Sequence, residues 1–320
     1  MRRILAPILA SVLLLTACSG GGAGDAETTA TGASVDTKFG AVEVPADPQR
    51  VVALGWGDAE TALALGVQPV GASDWVEFGG SGVGPWAADL YDTPPEIIAT
   101  LEPDYEAIAA LEPDLILDTK SSGEQERYDR LSEIAPTVGP PEGGDNYLTS
   151  MDQQVTMVAE ALGEEEKGKK QLEDLDAEFA VARDANPEFD GKTVTVAAKT
   201  SEGWGAYIKG TERVQFMENL GFTQSPTIDA LQPEGFTVPV SEEKLDDLDA
   251  DLLLVFPIYI PDTEVTEDSA FQRIPAVADG RSVVLTQDND EVRKAFSLNS
   301  VLSARYAAQT MPELLKPAVK

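Results

Sequence analysis

The sequence carries few of the side chains that drive catalysis. The 320 residues include no histidine and a single cysteine, Cys18. The absence of histidine excludes Ser-His-Asp and Cys-His arrangements and the histidine-rich sites that are usual for zinc. No Gly-rich phosphate loop of the GxxxxGK type is present. An enzyme is not excluded, but it would have to work without the commonest general base. We therefore expect no catalytic residues, no cofactor and no metal site.

The more informative side chains are aromatic and basic residues in the predicted loops that follow strands, among them Lys199–Tyr207. Open parallel sheets bind ligands at such strand ends. Each tryptophan alone is equally consistent with core or hinge packing, because tryptophan is well buried on average. Together, the four tryptophans favour an aromatic-lined cleft for a large, partly apolar ligand. The lysines and arginine would suit an anionic or oxygen-rich ligand, or they are ordinary solvated charges. The candidate ligand-binding residues are Trp56, Trp75, Trp86, Lys120, Lys199, Trp204, Tyr207, Tyr259 and Arg293.

Two similar α/β segments must position these residues. Asp104–Asp118 and Ser241–Val255 each read as a short amphipathic helix, an acidic turn and an apolar strand, with Asp114 aligned to Asp251. Chance similarity between βα units is the alternative, but a duplicated lobe is the more economical interpretation. Strands that alternate with helices predict parallel sheets with right-handed crossovers.

A long helical pattern separates the two lobes. In Asn146–Asn186 the apolar residues recur every three or four positions, which is the period of one helical face. Thr149 is a candidate N-cap and Pro187 a stop, while Gly163 leaves open one helix or two end to end. The predicted fold class is α/β, with two three-layer α/β lobes that have parallel-type sheets and are joined by a long backbone helix.

The N-terminus has the pattern of a targeting segment. Arg2 and Arg3 precede the apolar run Ile4–Leu15, which is too short for a stable membrane span. Leu15-Thr16-Ala17-Cys18 resembles a bacterial lipobox, so Cys18 is the predicted lipidation site. The small residues that follow predict a flexible tether. The predicted organisation is a signal peptide at 1–17, a lipidated tether at 18–38, an N-terminal lobe at 39–145, a connecting helix at 146–188 and a C-terminal lobe at 189–320.

Composition narrows the class of partner. The formal net charge of −33 argues against nucleic acid, whose phosphates require lysine and arginine, and against a polybasic membrane contact. An acidic surface favours solubility and by itself names no partner.

The order and spacing of several segments resemble the substrate-binding lipoproteins of ABC importers for ferric siderophores. The family also includes vitamin B12 and haem binders. The resemblance covers nearly all of the mature chain, and no single segment is decisive. The segments that carry it are Arg50–Trp75, Pro95–Leu117, Glu126–Val138, Val240–Phe256 and Phe271–Leu285.

The resemblance implies a monomer on the outer face of the cell membrane that holds a ferric siderophore between its lobes. It also implies docking on a permease through one acidic residue of each lobe. Asp89 is the nearest acid in the N-terminal lobe. Gln215 occupies the aligned position in the C-terminal lobe, so Glu218 is the candidate there. A haem or corrinoid ligand stays open, haem requiring Tyr207, Tyr259 or another tyrosine as axial ligand. A surface-tethered enzyme and a ligand sensor are the alternatives from other classes.

Overall fold

The computed structural model describes residues 31–233 and 235–320. Within them, two α/β lobes lie on either side of a pair of long helices, as the sequence predicts. The predicted signal peptide and Cys18 lie outside the described residues. None of the helices in the described ranges is long and apolar enough to cross a membrane.

The N-terminal lobe begins earlier than the sequence predicts. Thr31–Thr37, which was assigned to the tether, forms strand β1 and pairs antiparallel with β2, Gly40–Pro45. Backbone hydrogen bonds rather than a hydrophobic pattern hold this segment, although Val35 is fully buried. Any shortened version of the protein should therefore keep residues from 31 onward.

The N-terminal sheet has five short parallel strands in the order β5-β4-β3-β6-β7. All residues of β3 and β6 are buried, as expected for central parallel strands. The strands are β3 Val51–Ala53, β4 Gly71–Ser73, β5 Glu96–Ile98, β6 Leu115–Leu117 and β7 Thr137–Val138. The helices are α1 Asp58–Ala64, α2 Tyr105–Ala110 and α3 Gln125–Ser132, with a 3-10 turn at Ala88–Leu90.

Two helices, rather than one, connect the lobes: α4 Met151–Leu162 and α5 Glu165–Ala185. Gly163 ends α4 in the left-handed conformation, with φ of 68°, which glycine adopts without strain. Ser150 caps α4 in a capping box, whereas the predicted cap Thr149 donates a hydrogen bond to the Thr119 carbonyl at 2.7 Å. Helix α4 packs in the N-terminal core and α5 in the C-terminal core, so the pair joins both.

The C-terminal sheet is mixed, with main order β11-β9-β8-β12-β13 and β10 alongside β8. Lys199–Tyr207, predicted as a loop, is instead the end of β8 and an antiparallel return strand, β9. The two-residue turn Ser201–Glu202 reverses the chain, and Gly203 begins β9 with a φ of 126°, so that the two strands pair. The strands are β8 Thr193–Thr200, β9 Gly203–Tyr207, β10 Thr223–Gln224, β11 Thr237–Val240, β12 Leu252–Pro257 and β13 Ser282–Val284.

Helices cover both faces of this sheet. They are α6 Glu212–Asn219, α7 Pro226–Asp229, α8 Thr263–Thr266, α9 Pro275–Ala278, α10 Asp290–Leu298 and α11 Val301–Leu315. The predicted helix Glu242–Leu248 is 3-10 with a kink at Lys244. Other 3-10 turns are Pro187–Phe189, Phe271–Arg273, Gln287–Asn289 and Lys316–Ala318.

The two aligned acidic residues play the same part in each lobe. Asp114 accepts hydrogen bonds from the backbone N–H groups of Gln49 and Arg50, directly before β3. Asp251 accepts from the N–H of Thr193, the first residue of β8. The strand after this acid pairs in parallel with β3 in the N-terminal lobe and with β8 in the C-terminal lobe. The internal similarity seen in the sequence thus has a common structural role.

Candidate ligand-binding cleft

A cleft between the lobes consists of two adjoining chambers. The inner chamber has a volume of about 30 Å³ and the outer chamber one of about 340 Å³, and both are lined by Arg213 and Ser297. Loops that follow β3 and β4 form one wall, while α6, α10 and the segment after β12 form the other. The outer chamber is of the size that holds a small organic ligand, and the inner chamber is a narrow extension of it.

The N-terminal wall is a continuous aromatic stack. The ring centroid of Trp56 lies 4.2 Å from that of Trp75 and 3.9 Å from that of Tyr147. Trp56 follows β3 and Trp75 follows β4, so parallel strand ends bring them together as predicted. Tyr147 joins them from the turn before α4, where its backbone has a φ of 63°. Because Trp56 lies between the other two rings, the stack forms an aromatic wall that presents ring edges and its outermost faces.

Arg213 faces this stack from the first turn of α6. Its guanidinium carbon lies 4.7 Å from the ring centroid of Tyr207, 5.5 Å from that of Phe256 and 5.9 Å from that of Trp75. One terminal nitrogen donates to the Ser297 carbonyl at 3.0 Å, and Nε is buried without a partner. No carboxylate of the described residues forms an ion pair with it. The guanidinium is therefore held by rings and keeps donors for a ligand.

Lys120 lies in the inner chamber and is only 4% exposed. Its Nζ is 4.0 Å from Oε1 of Glu212, the residue next to Arg213. Burial lowers the pKa of the Lys120 ammonium, and the neighbouring Glu212 carboxylate opposes that shift. Lys120 thus provides a buried amine that is only loosely paired.

The mouth of the outer chamber is bridged by contacts between the lobes. The Tyr259 hydroxyl donates to the Trp75 carbonyl at 3.1 Å, and Lys294 Nζ donates to the Glu77 carbonyl at 2.8 Å. Tyr259 is otherwise 76% exposed and has a φ of 55°, which is unusual for a bulky residue. Arg293 lines the same chamber and pairs with Asp290.

A buried network positions the inner chamber. The Asp58 carboxylate accepts from the Thr119 N–H at 2.9 Å, from the Thr119 hydroxyl and from Gln154 Nε2 at 2.7 Å. The same amide nitrogen of Gln154 donates to the Trp56 carbonyl at 2.8 Å. Helix α4 therefore ties the Trp56 loop to the segment that carries Lys120. Burial raises the pKa of Asp58 to about 6, although these hydrogen bonds favour its ionised form.

The raised pKa predicts a pH-dependent contribution of Asp58 to stability. Between pH values of about 4 and about 6 the folded state binds more protons at Asp58 than the unfolded state does. The contribution of Asp58 to stability is fully present below a pH of about 4 and is lost as the pH rises through about 6. We expect the difference in unfolding free energy between wild type and Asp58→Asn to fall by about 3 kcal/mol from pH 4 to pH 7. Urea unfolding across this range measures the difference, with exposed Asp184→Asn as control; a pH-independent difference would contradict the prediction.

Six of the nine predicted ligand-binding residues line the cleft. Those in the inner chamber are Trp56, Lys120 and Tyr207, and those in the outer chamber are Trp75, Tyr259 and Arg293. Trp56, Trp75, Lys120 and Tyr259 follow parallel strands and meet at the carboxyl edges of the sheets. Tyr207 reaches the inner chamber from the antiparallel strand β9, and Arg293 reaches the outer chamber from α10.

The other three predicted residues line neither chamber. Trp204 is 4% exposed and stacks on Phe271, with centroids 5.5 Å apart, on the face of the C-terminal sheet away from α6. Lys199 lies opposite Trp204 in the β8–β9 register and pairs with Asp268 at 2.9 Å. Their placement in a ligand cleft was wrong, because β9 returns along β8 instead of forming a loop.

Trp86 packs between the lobes rather than in the cleft. It stacks on Tyr306 of α11, with centroids 4.7 Å apart, and its Nε1 donates to Glu60 at 3.0 Å. Glu60 also accepts from the Ser300 hydroxyl of the other lobe. Trp86 therefore has the hinge-packing role that the sequence allows for each tryptophan alone.

Sequence reasoning missed Tyr147 and Arg213. A basic residue in the first turn of a helix is unfavourably placed beside the positive end of the helix dipole. Arg213 is such a residue, and this was a usable signal for a functional role. No comparable local signal marked Tyr147, because its position depends on the turn that precedes α4.

The two candidate docking acids differ in their surroundings. Asp89 lies in the 3-10 turn Ala88–Leu90 and is exposed. Glu218 is half-buried on α6 and pairs with Lys209 at 3.4 Å, which leaves it less available to a partner. In the described ranges, no group of three acidic or cysteine side chains is arranged to hold a metal ion.

Comparisons with known proteins place this fold. A family model described as "Periplasmic binding protein" matches residues 51–289. The probable siderophore-binding lipoprotein YfiY of Bacillus subtilis is 31% identical over 237 residues, which are 72% of this chain and 70% of that protein.

Solved structures agree with the two-lobed architecture. A periplasmic solute binding protein of Mycobacterium smegmatis has a TM-score of 0.76 at 28% identity, covering 90% of this chain and 99% of that one. PiaA of Streptococcus pneumoniae in complex with ferrichrome has a TM-score of 0.77 at 24% identity, covering 89% and 98%.

Proposed function

The chain belongs to the periplasmic binding protein family, and on that premise we propose that it captures a ferric siderophore between its lobes and delivers it to the permease of an ABC importer. The observation that carries the proposal is the stack of Trp56, Trp75 and Tyr147 facing the unpaired guanidinium of Arg213. A chelator already saturates the iron, so the protein need only contact the organic scaffold and its oxygens. An apolar wall and a cation with free donors meet those two requirements.

The relatives support the substrate class and the location. YfiY is named a probable siderophore-binding lipoprotein, and PiaA was solved with ferrichrome. Cys18 is the proposed point of lipid attachment, which would hold the lobes at the outer face of the membrane. The exposed Asp89 is the proposed permease contact of the N-terminal lobe. No catalytic step belongs to this function.

Intrinsic fluorescence tests the proposal, because bound ferric chelates absorb tryptophan emission. We expect saturable quenching of the chain from residue 19 onward by at least one ferric siderophore, and none by the iron-free chelator. Trp75 lines the cleft whereas Trp204 lies across the C-terminal sheet, so Trp75→Phe should remove more of the quenching than Trp204→Phe. Failure of every ferric chelate to bind would overturn the proposal, and binding of haem or cobalamin alone would replace it with the related ligand class.

A further inference from the structure

The charged side chains that line the two chambers nearly cancel. Four are cationic and three are anionic, which leaves a net charge of one positive unit. The cations are Lys120, Arg213, Arg293 and Lys294, and the carboxylates are Glu77, Glu212 and Asp290. The whole chain carries a formal net charge of −33 and provides no long-range attraction for an anion.

Most of the cations are already engaged. Asp290 binds Arg293 through Oδ1 and Lys294 through Oδ2, the latter at 3.2 Å. Lys120 faces Glu212 at 4.0 Å. Among the cations that line the chambers, Arg213 has no carboxylate partner among the described residues and is held instead by aromatic rings. The cleft therefore offers one free cationic group to a ligand.

This balance discriminates between the chemical classes of ferric chelate. Three catecholate dianions leave a triply negative complex around ferric iron, whereas three hydroxamate monoanions leave a neutral core. A buried charge is strongly unfavourable unless it is paired. One free guanidinium can donate to the oxygens of a neutral chelate, but it cannot compensate three negative charges in a cleft whose other three cations are balanced by its three carboxylates.

We propose that the cleft selects ferric chelates of low net charge, of the hydroxamate type, and disfavours triply negative tris-catecholates. The inference rests on the proposed siderophore-binding function and names its ligand class. Arg213 is the group that contacts the chelate oxygens, and Asp290 sets the charge of the outer chamber by holding Arg293 and Lys294.

Equilibrium binding of three probes to the full chain, purified in detergent, tests the selection. We expect ferrichrome, a neutral tris-hydroxamate, to bind at least about tenfold more tightly than ferric enterobactin or ferric citrate, which are anionic. Because a neutral chelate does not depend on long-range attraction, its affinity should change little between low and physiological salt.

A variant with one altered charge tests whether the charges of the cleft cause the preference for ferrichrome. Asp290→Asn removes one negative charge from the outer chamber and frees Arg293 and Lys294, so it should narrow the ferrichrome preference several-fold. Asp288→Asn makes the same change to net charge at an exposed position that does not line the cleft, and should leave the preference unchanged.

The outcomes separate this inference from the function on which it rests. Tighter binding of either anionic complex would overturn the selection and leave siderophore capture standing. If Asp290→Asn and Asp288→Asn show the same preference for ferrichrome over the anionic complexes, the charge of the cleft does not cause the selection. Binding of none of the three chelates would count against siderophore capture itself, and with it the inference.

Discussion

Replacement of Arg213 by glutamine is expected to weaken binding of the preferred ferric siderophore about a hundredfold. Three rings hold the guanidinium in the cleft, and it has no carboxylate partner among the described residues. Its donors are therefore available to chelate oxygens in a partly desolvated site, where loss of a charge-assisted contact costs about 2–4 kcal/mol. Isothermal titration or fluorescence quenching measures the change in dissociation constant.

Two further variants make this prediction specific. Arg213→Lys keeps the charge but loses the planar fork, so its affinity should fall between those of the wild type and Arg213→Gln. Arg273→Gln removes an exposed arginine that lines neither chamber and should bind as the wild type does. Equal affinities for Arg213→Gln and Arg273→Gln, with both variants folded by circular dichroism, would show that Arg213 does not contact the ligand.

Replacement of Arg127 by alanine is expected to destabilise the protein by about 3–5 kcal/mol. Arg127 is 7% exposed and Asp118 is 2% exposed, and the two form a bidentate pair with bonds of 2.9 Å and 2.7 Å. Arg127 also donates to the Thr100 carbonyl at 3.0 Å, so it joins α3 to the segment after β5. Removal of the arginine leaves the Asp118 carboxylate buried without its partner. Thermal unfolding should show a melting temperature lower by roughly 10 °C.

An exposed ion pair provides the matched control. Lys169 and Glu173 lie 3.8 Å apart on the surface of α5, and Lys169→Ala should change the unfolding free energy by no more than about 0.5 kcal/mol. The double variant Arg127→Met with Asp118→Leu removes both buried charges and should recover much of the lost stability. Similar melting temperatures for Arg127→Ala and Lys169→Ala would refute the assigned role of the buried pair.

The lobes and the connecting helices were predicted from local sequence patterns, and the structure contains the elements that these patterns predict. The apolar runs at Val51 and Leu115 form central strands, and Asp114 and Asp251 support the first strand of their lobes in the same way. Gly163 divides the connecting segment, as its weak helix propensity allowed. Such features are readable because each depends on residues only a few positions apart.

Which residues line the cleft depends on the direction that the chain takes after each strand. Trp204 and Tyr207 both fall in the segment that was predicted as a loop, yet they lie three positions apart on one strand and therefore point to opposite faces. Tyr207 reaches the inner chamber, while Trp204 packs on Phe271 behind the sheet. The β8–β9 hairpin therefore determines that Tyr207, and not Trp204, can contact a ligand in the cleft.

The sequence alone determined a two-lobed α/β protein without histidine chemistry, because composition and short-range periodicity are properties of the chain itself. The pairing of Asp290 with Arg293 and Lys294 is also local, because these residues lie three and four positions apart on α10. Only the tertiary structure placed Arg213 opposite Trp75. This contact joins α6 to the loop after β4, and the two segments are distant in sequence. The packing of the two lobes brings them together, and no local pattern encodes which cation in the cleft keeps its charge free for a ligand.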